Sequence, residues 1–137
     1  MAGYSGTPLA KKLGIKSGQR IAFINPPASF AQDLGEVPDD LRDVSGARSE
    51  IDLAVLFVTE QRALKRGFAP LAKRLAPAGM LWVSWPKKAS KMPTDVTENI
   101  VRDHGLQVGL VDVKICAVNE IWSGRKFVRR LKDRPLA

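Results

Sequence analysis

The stretch Met80–Lys88, MLWVSWPKK, decides how this chain is read. Met80–Trp85 is a short apolar run of strand character that stops abruptly in a Trp-Pro-Lys-Lys turn. It reads as the last parallel strand of an open α/β sheet. In such sheets ligands sit in the loops beyond the carboxyl ends of the strands, so this turn marks a candidate functional edge.

Working outward, Asp52–Val58 (DLAVLFV) is the strongest strand signal. It is apolar on both faces and rich in branched residues, which predicts a central parallel strand. Arg20–Asn25 (RIAFIN) predicts another buried strand, stopped by Pro26-Pro27, and Leu41–Val44 offers a short edge strand among acidic residues. Helices are predicted between these runs. Thr7-Pro8 opens one, with Pro8 at its first position and Gly14 as its left-handed end. Ser29 caps a second, Ser29–Leu34, ending at Gly35. Thr59 caps a third with Glu60 in its first turn and Leu64, Phe68, Leu71, Ala72 and Leu75 on one face. Pro70 should kink or split that helix, and Pro77 and Gly79 should end it. Thr94 or Asp95 caps a fourth, which runs to about His104 and closes at Gly105. Gly109–Val118 and Arg125–Leu131 then predict an antiparallel hairpin turning near Ser123-Gly124. Met1–Gly6 reads as loose.

With 137 residues, 45% of them hydrophobic and 26% charged, the chain fits one globular domain rather than a disordered one. Its formal net charge of +8 favours anionic partners. The single Cys116 excludes an intrachain disulfide framework and a cysteine-built metal cluster, and its place in an apolar strand predicts an inert thiol. No metal-ligand spacing occurs, so no metal is expected. The start, MAGYSGTPLAKK, has no signal-peptide core, and no apolar run is long enough to span a membrane; a cytoplasmic address is the expectation.

The order strand, helix, strand, helix, strand, helix, hairpin resembles a reduced class I methyltransferase domain. LGIKSGQRIAFIN is similar to the opening of such domains, DLAVLFV to their fourth strand, LAPAGMLWVSWPK to their fifth, and VDVKICAV with RKFVRRL to their last two. At finer grain, WPKKAS, TDVTENIVR, GLVDVKICAV and WSGRKFV resemble a small bacterial family of unknown function. The resemblance implies a single-domain Rossmann-like open sheet, mostly parallel with a C-terminal antiparallel hairpin, and helices on both faces.

The chain departs from those enzymes after the first strand. They carry an acidic residue and a glycine-rich loop there, which lets backbone approach the methyl donor. Here the residues are Asn25-Pro26-Pro27-Ala28-Ser29-Phe30. Two prolines remove two amide donors, and at ~0.5–1.5 kcal/mol net per hydrogen bond that forfeits roughly 1–3 kcal/mol. Asn25-Pro26-Pro27 also resembles the Asn-Pro-Pro-aromatic signature of amino-group methyltransferases. That signature follows the fourth strand and ends in an aromatic residue, whereas this one follows the first strand and continues with Ala28.

The leading expectation is therefore a non-catalytic methyltransferase-like domain, without cofactor, binding an anionic small molecule or a protein partner. Its candidate crevice is lined by Asn25, Pro26, Thr59, Glu60, Trp85, Lys87 and Lys88. Lys87 and Lys88 would clamp a phosphate or carboxylate and Trp85 would stack on it, against the alternative of an exposed turn whose Trp packs on the next helix. A second expectation is a nucleic-acid-binding accessory protein using a basic hairpin, with Trp122 at its tip and Arg125, Lys126, Arg129 and Arg130 beside it. A third is a divergent S-adenosylmethionine-dependent methyltransferase. Asp112, Lys114 and Cys116 alternate and would share one strand face. His104, the only histidine, reads as a surface residue whose charged form a helix C-terminus favours.

Overall fold

The computed structural model describes residues 7–134, so the expectation of a loose Met1–Gly6 lies outside the described residues. Within that span β1 (Arg20–Ile24), β2 (Arg42–Asp43), β3 (Ile51–Phe57), β4 (Leu75–Pro86), β5 (Leu110–Ala117) and β6 (Trp122–Arg129) form one sheet, ordered β2-β1-β3-β4-β6-β5. β1 pairs in parallel with β2 and β3, and β3 with β4; β6 runs antiparallel between β4 and β5. The strand order reverses at β1 and β3, because the chain leaves β1 for the β2 edge and returns on its other side.

β3 is central because six of its seven residues are buried. Its alternation serves two cores. Leu53, Val55 and Phe57 face one side with Trp82, where Leu13 of α1 (Leu9–Leu13) and Phe30 of α2 (Phe30–Leu34) cover them. Ala54 and Leu56 face the other with Leu81 and Val83, under Leu64, Phe68 and Leu71 of α3 (Gln61–Arg74) and Val101 of α4 (Glu98–Val108). Asp52 takes a different role. Its carboxylate accepts from the Arg20 backbone amide at 2.8 Å and from the guanidinium at 2.9 and 3.0 Å, tying β1 to β3. The Arg20 hydrogen bond holds the Asp52 carboxyl below the usual carboxylate range.

The element ends differ from expectation in instructive ways. Pro8 is the cap of α1 rather than its first residue, and its carbonyl accepts from Lys12 at 3.0 Å. Gly14 does end α1 with φ 89°. Ser29 makes no cap to backbone; its hydroxyl donates to Asp33 at 3.1 Å. Glu60, not Thr59, is the cap residue of α3, and the first amide of that helix, Gln61, donates to Asp95 Oδ1 at 2.8 Å. Asp95 therefore does not cap its own helix. Thr97 does, accepting from Ile100 at 3.3 Å.

Pro70 lies inside an unbroken α3. Pro70 and Arg66, whose carbonyl the proline leaves without its amide partner, are both exposed residues, so the missing bond falls on the solvent side of the helix. Pro77 and Gly79 do not end α3, since Leu75 is already extended; they fall where the β3–β4 register slips between Ile51↔Leu75 and Leu53↔Met80, a break that tolerates proline. α4 passes through Gly105 and closes at Gly109, φ 110°. The hairpin turns at residues 118–121 rather than at Ser123-Gly124, which are paired within β6. Asn119 Oδ1 organises that turn, accepting from the amides of Ile121 and Trp122 at 2.8 Å each.

Candidate functional site

Asn25, Pro26, Thr59, Glu60, Trp85, Lys87 and Lys88 all fall just past or at the carboxyl ends of β1, β3 and β4. They do not form one pocket. A groove of about 550 Å³ is lined by Trp85, Lys87 and Lys88 together with Thr94, Thr97, Glu98, Ile115 and Ser123, among others. Asn25, Pro26, Thr59 and Glu60 are not among its lining residues. The link between the two groups is a hydrogen bond of 2.6 Å from Thr94 Oγ1 to the Thr59 carbonyl. Glu60 is engaged by Arg62 at 2.9 Å.

Trp85 is buried, with Val96 and Val101 in the same core, so it packs against the α4 region and offers the groove a wall rather than a free stacking face. Pro86 finishes β4, and the Lys87 amide donates to the Ile121 carbonyl at 2.7 Å. The turn then winds through a short 3-10 helix, Lys88–Ser90, held by Ser90 Oγ on the Lys87 carbonyl at 2.6 Å. Lys87 is half-buried and Lys88 exposed, and among the described residues neither ammonium makes an ion pair. The one acidic lining residue, Glu98, is held by Arg125. The first turn of α4 adds the positive end of a helix dipole to the same groove.

The crevice between β1 and β3 does not fit the methyl donor that such folds hold. Asn25 adopts φ 55°, a conformation asparagine tolerates, and Pro26 and Pro27 follow it without amide protons. Phe30 is buried beside this turn, edge-on to Phe23 at 5.1 Å and to Phe57 at 4.8 Å, and Phe57 meets Trp122 at 5.4 Å. Rigid prolines and aromatic rings stand where backbone amides on a flexible glycine loop would be needed.

The basic hairpin does not present the surface expected of it. Trp122 is in the core, not at a tip. Arg125 is largely buried and binds both Asp112 and Glu98, with Arg102 3.6 Å from Asp112. Arg129 donates to the Leu75 carbonyl at 2.7 Å and to the Ala72 carbonyl at 3.2 Å, satisfying the end of α3. Lys126 and Arg130 are half-buried. Asp112 and Lys114 do not share a face either. The β5–β6 register shifts between them, so Asp112 meets Arg125 and Glu98's side of the sheet while Cys116 packs in the opposite core. Burial raises the Cys116 thiol above its ordinary range, as an inert cysteine requires.

His104 is half-buried, edge-on to Phe68 at 5.3 Å, and its Nε2 is buried without a partner. Burial, and secondarily Lys65, lower its pKa, so the neutral ring is favoured rather than the charged one. α4 continues four residues past it, which removes the expected help from the helix end. Among the described residues no cluster of potential metal ligands occurs, and no helix is long and apolar enough to cross a membrane.

No family model matches the chain, and no curated protein resembles it in sequence. Solved structures do resemble it in fold. The pyocyanin biosynthetic protein PhzM matches with TM-score 0.62 at 11% identity, over 89% of this chain and 53% of that one, so this chain spans about half of it. A SAM-dependent methyltransferase from Aquifex aeolicus matches with TM-score 0.60 at 15% identity, covering 87% and 86% of the two chains. The N-methyltransferase NodS from Bradyrhizobium japonicum WM9 gives 0.56 at 13% identity over 87% and 89%. The fold is that of the class I methyltransferases, a mostly parallel Rossmann-like sheet with an antiparallel C-terminal pair.

Proposed function

We propose that this chain is a methyltransferase-fold domain that transfers no methyl group and binds a carboxylate- or phosphate-bearing ligand in the groove beside α4. The observation that carries this reading is the pair Lys87 and Lys88, two cations with no ion-pair partner among the described residues, on the wall of a groove of ligand size. Retaining two unpaired ammonium groups there creates a field that an anion relieves. The diproline and the aromatic stack after β1 support the non-catalytic half of the reading.

Thermal unfolding with citrate, inorganic phosphate and S-adenosylmethionine at millimolar concentration tests both halves. A ligand at 100 times its dissociation constant adds about 2.7 kcal/mol to stability. Citrate or phosphate should raise Tm in the wild type and not in the K87A/K88A double variant; an equal shift in both proteins, or none in either, overturns the groove. S-adenosylmethionine should leave Tm unchanged. A shift that maps by NMR to Asn25–Ala28 overturns the non-catalytic reading.

A further inference from the structure

The groove does not end at its lysines but runs into an open sheet edge. β5 is the outermost strand on that side and has β6 on one flank only, so alternate backbone amides and carbonyls along it face outward unpaired. Three of the six large apolar side chains left exposed among the described residues lie here: Val113 at 54% and Ile115 at 47% on β5, and Ile121 at 39% in the adjoining turn. Ile115 lines the groove together with Lys87 and Lys88, and the Ile121 carbonyl accepts from the Lys87 amide. Backbone edge, apolar side chains and cations are one continuous surface.

The composition of that surface narrows what covers it. The bulge between Asp112 and Lys114 breaks the outer half of the edge and leaves Lys114–Ala117, the half nearer the groove, regular enough to pair. A second copy of this chain would bring another +8 of net charge and set Lys114 near Lys114, a device that proteins use against edge pairing. A nucleic acid would satisfy the lysines but has no backbone that extends a sheet. An extended polypeptide carrying both apolar and acidic side chains satisfies all three features.

We propose that the β5 edge and the groove together dock an extended acidic segment of a partner protein. The segment adds as a strand along Lys114–Ala117, lays an apolar side chain against Ile115 and Ile121, and places an Asp or Glu carboxylate between Lys87 and Lys88. This deepens the groove reading above and rests on it, since the carboxylate is the anion that reading requires.

The test is selection of random dodecapeptides displayed on phage against the full chain, followed by anisotropy with the enriched peptides made synthetically. Enriched sequences should alternate β-branched or aromatic residues with Asp or Glu and lack proline. Their affinity should fall at least tenfold with I115D and with K87A/K88A, and less with the milder I115T. N-methylation of alternate peptide amides should abolish binding, which a contact made through side chains alone would survive. Circular dichroism melts confirm that each variant is folded. Failure to enrich any peptide while citrate still binds overturns the docking proposal and spares the groove; failure of both removes the two together. Enriched peptides indifferent to I115D or to N-methylation also overturn it. So does a dimer in light scattering that I115D dissociates, which would give the edge to a second copy.

Discussion

At the scale of single residues, two neighbours in α4 set the tightest constraints. A Cβ on Gly105 would stand 2.1 Å from the Phe127 ring, inside any permitted contact. Overpacking of this kind costs about 1–3 kcal/mol. G105A should therefore lower the unfolding free energy by that amount, read as a lower urea midpoint at unchanged slope, and an unchanged midpoint would show that the helix can move off the sheet. His104 carries a proton-linked contribution. Its folded pKa lies below the ordinary ~6.5, so the unfolded chain takes up the proton first as pH falls. Stability from the neutral ring is complete above about pH 6.5 and is lost as pH drops through the depressed folded value. H104F keeps the edge contact with Phe68 and removes the titration; its Tm should fall less than that of the wild type between pH 7.5 and 5. Parallel curves would refute the assignment.

At the scale of elements, the strands were more legible than the helix ends. Buried strands announce themselves by composition: β1 and the short β2 fall within the runs that predict them, β3 begins one residue ahead of its run, and β4 contains its run Met80–Trp85 but starts earlier, at Leu75. Caps are different, because a helix end can be satisfied from elsewhere in the chain. α3 is the clearest case: Asp95, 34 residues on, closes its first turn and also offers its carbonyl to the Gln61 side chain at 2.7 Å. No local signal near Thr59 reveals this. D95A should destabilise by about 1 kcal/mol, the ordinary worth of a helix cap. Combined with Q61A it should be less than additive in denaturant melts, and full additivity would show the two residues to be independent. The hairpin was misplaced by the same logic. Ser123-Gly124 has turn chemistry, yet the Asn119 side chain wins the turn and leaves Gly124 inside β6, where a Cβ would press on Val118 and Trp82.

At the scale of the molecule, the class of fold was legible and the site only in part. Lys87 and Lys88 are visible from the turn that ends β4. The other wall of their groove, Thr94, Thr97, Ile115 and Ser123, comes from three elements that only the docked fold brings together. The net charge of +8 does not say which cations are spent internally. Arg20, Arg125 and Arg129 all hold the fold together. Binding of a single-stranded oligonucleotide is therefore expected to be weak and nonspecific, present at low salt and lost by about 0.15 M, where exposed charges are screened beyond roughly 8 Å. Tight binding that survives that salt concentration would reopen the nucleic-acid reading.

The interior place of β6 has a consequence for how the molecule comes into being. Of the described strands it is the last to be synthesised, yet it must enter between two earlier ones, and until it arrives β5 has no neighbour and β4 is paired on its β3 side only. A nascent chain halted before Trp122 would hold a half-built sheet with an apolar flank open to the cell. Completion of the sheet thus waits on β6, and chains stalled before it should be the species that aggregate or recruit chaperones.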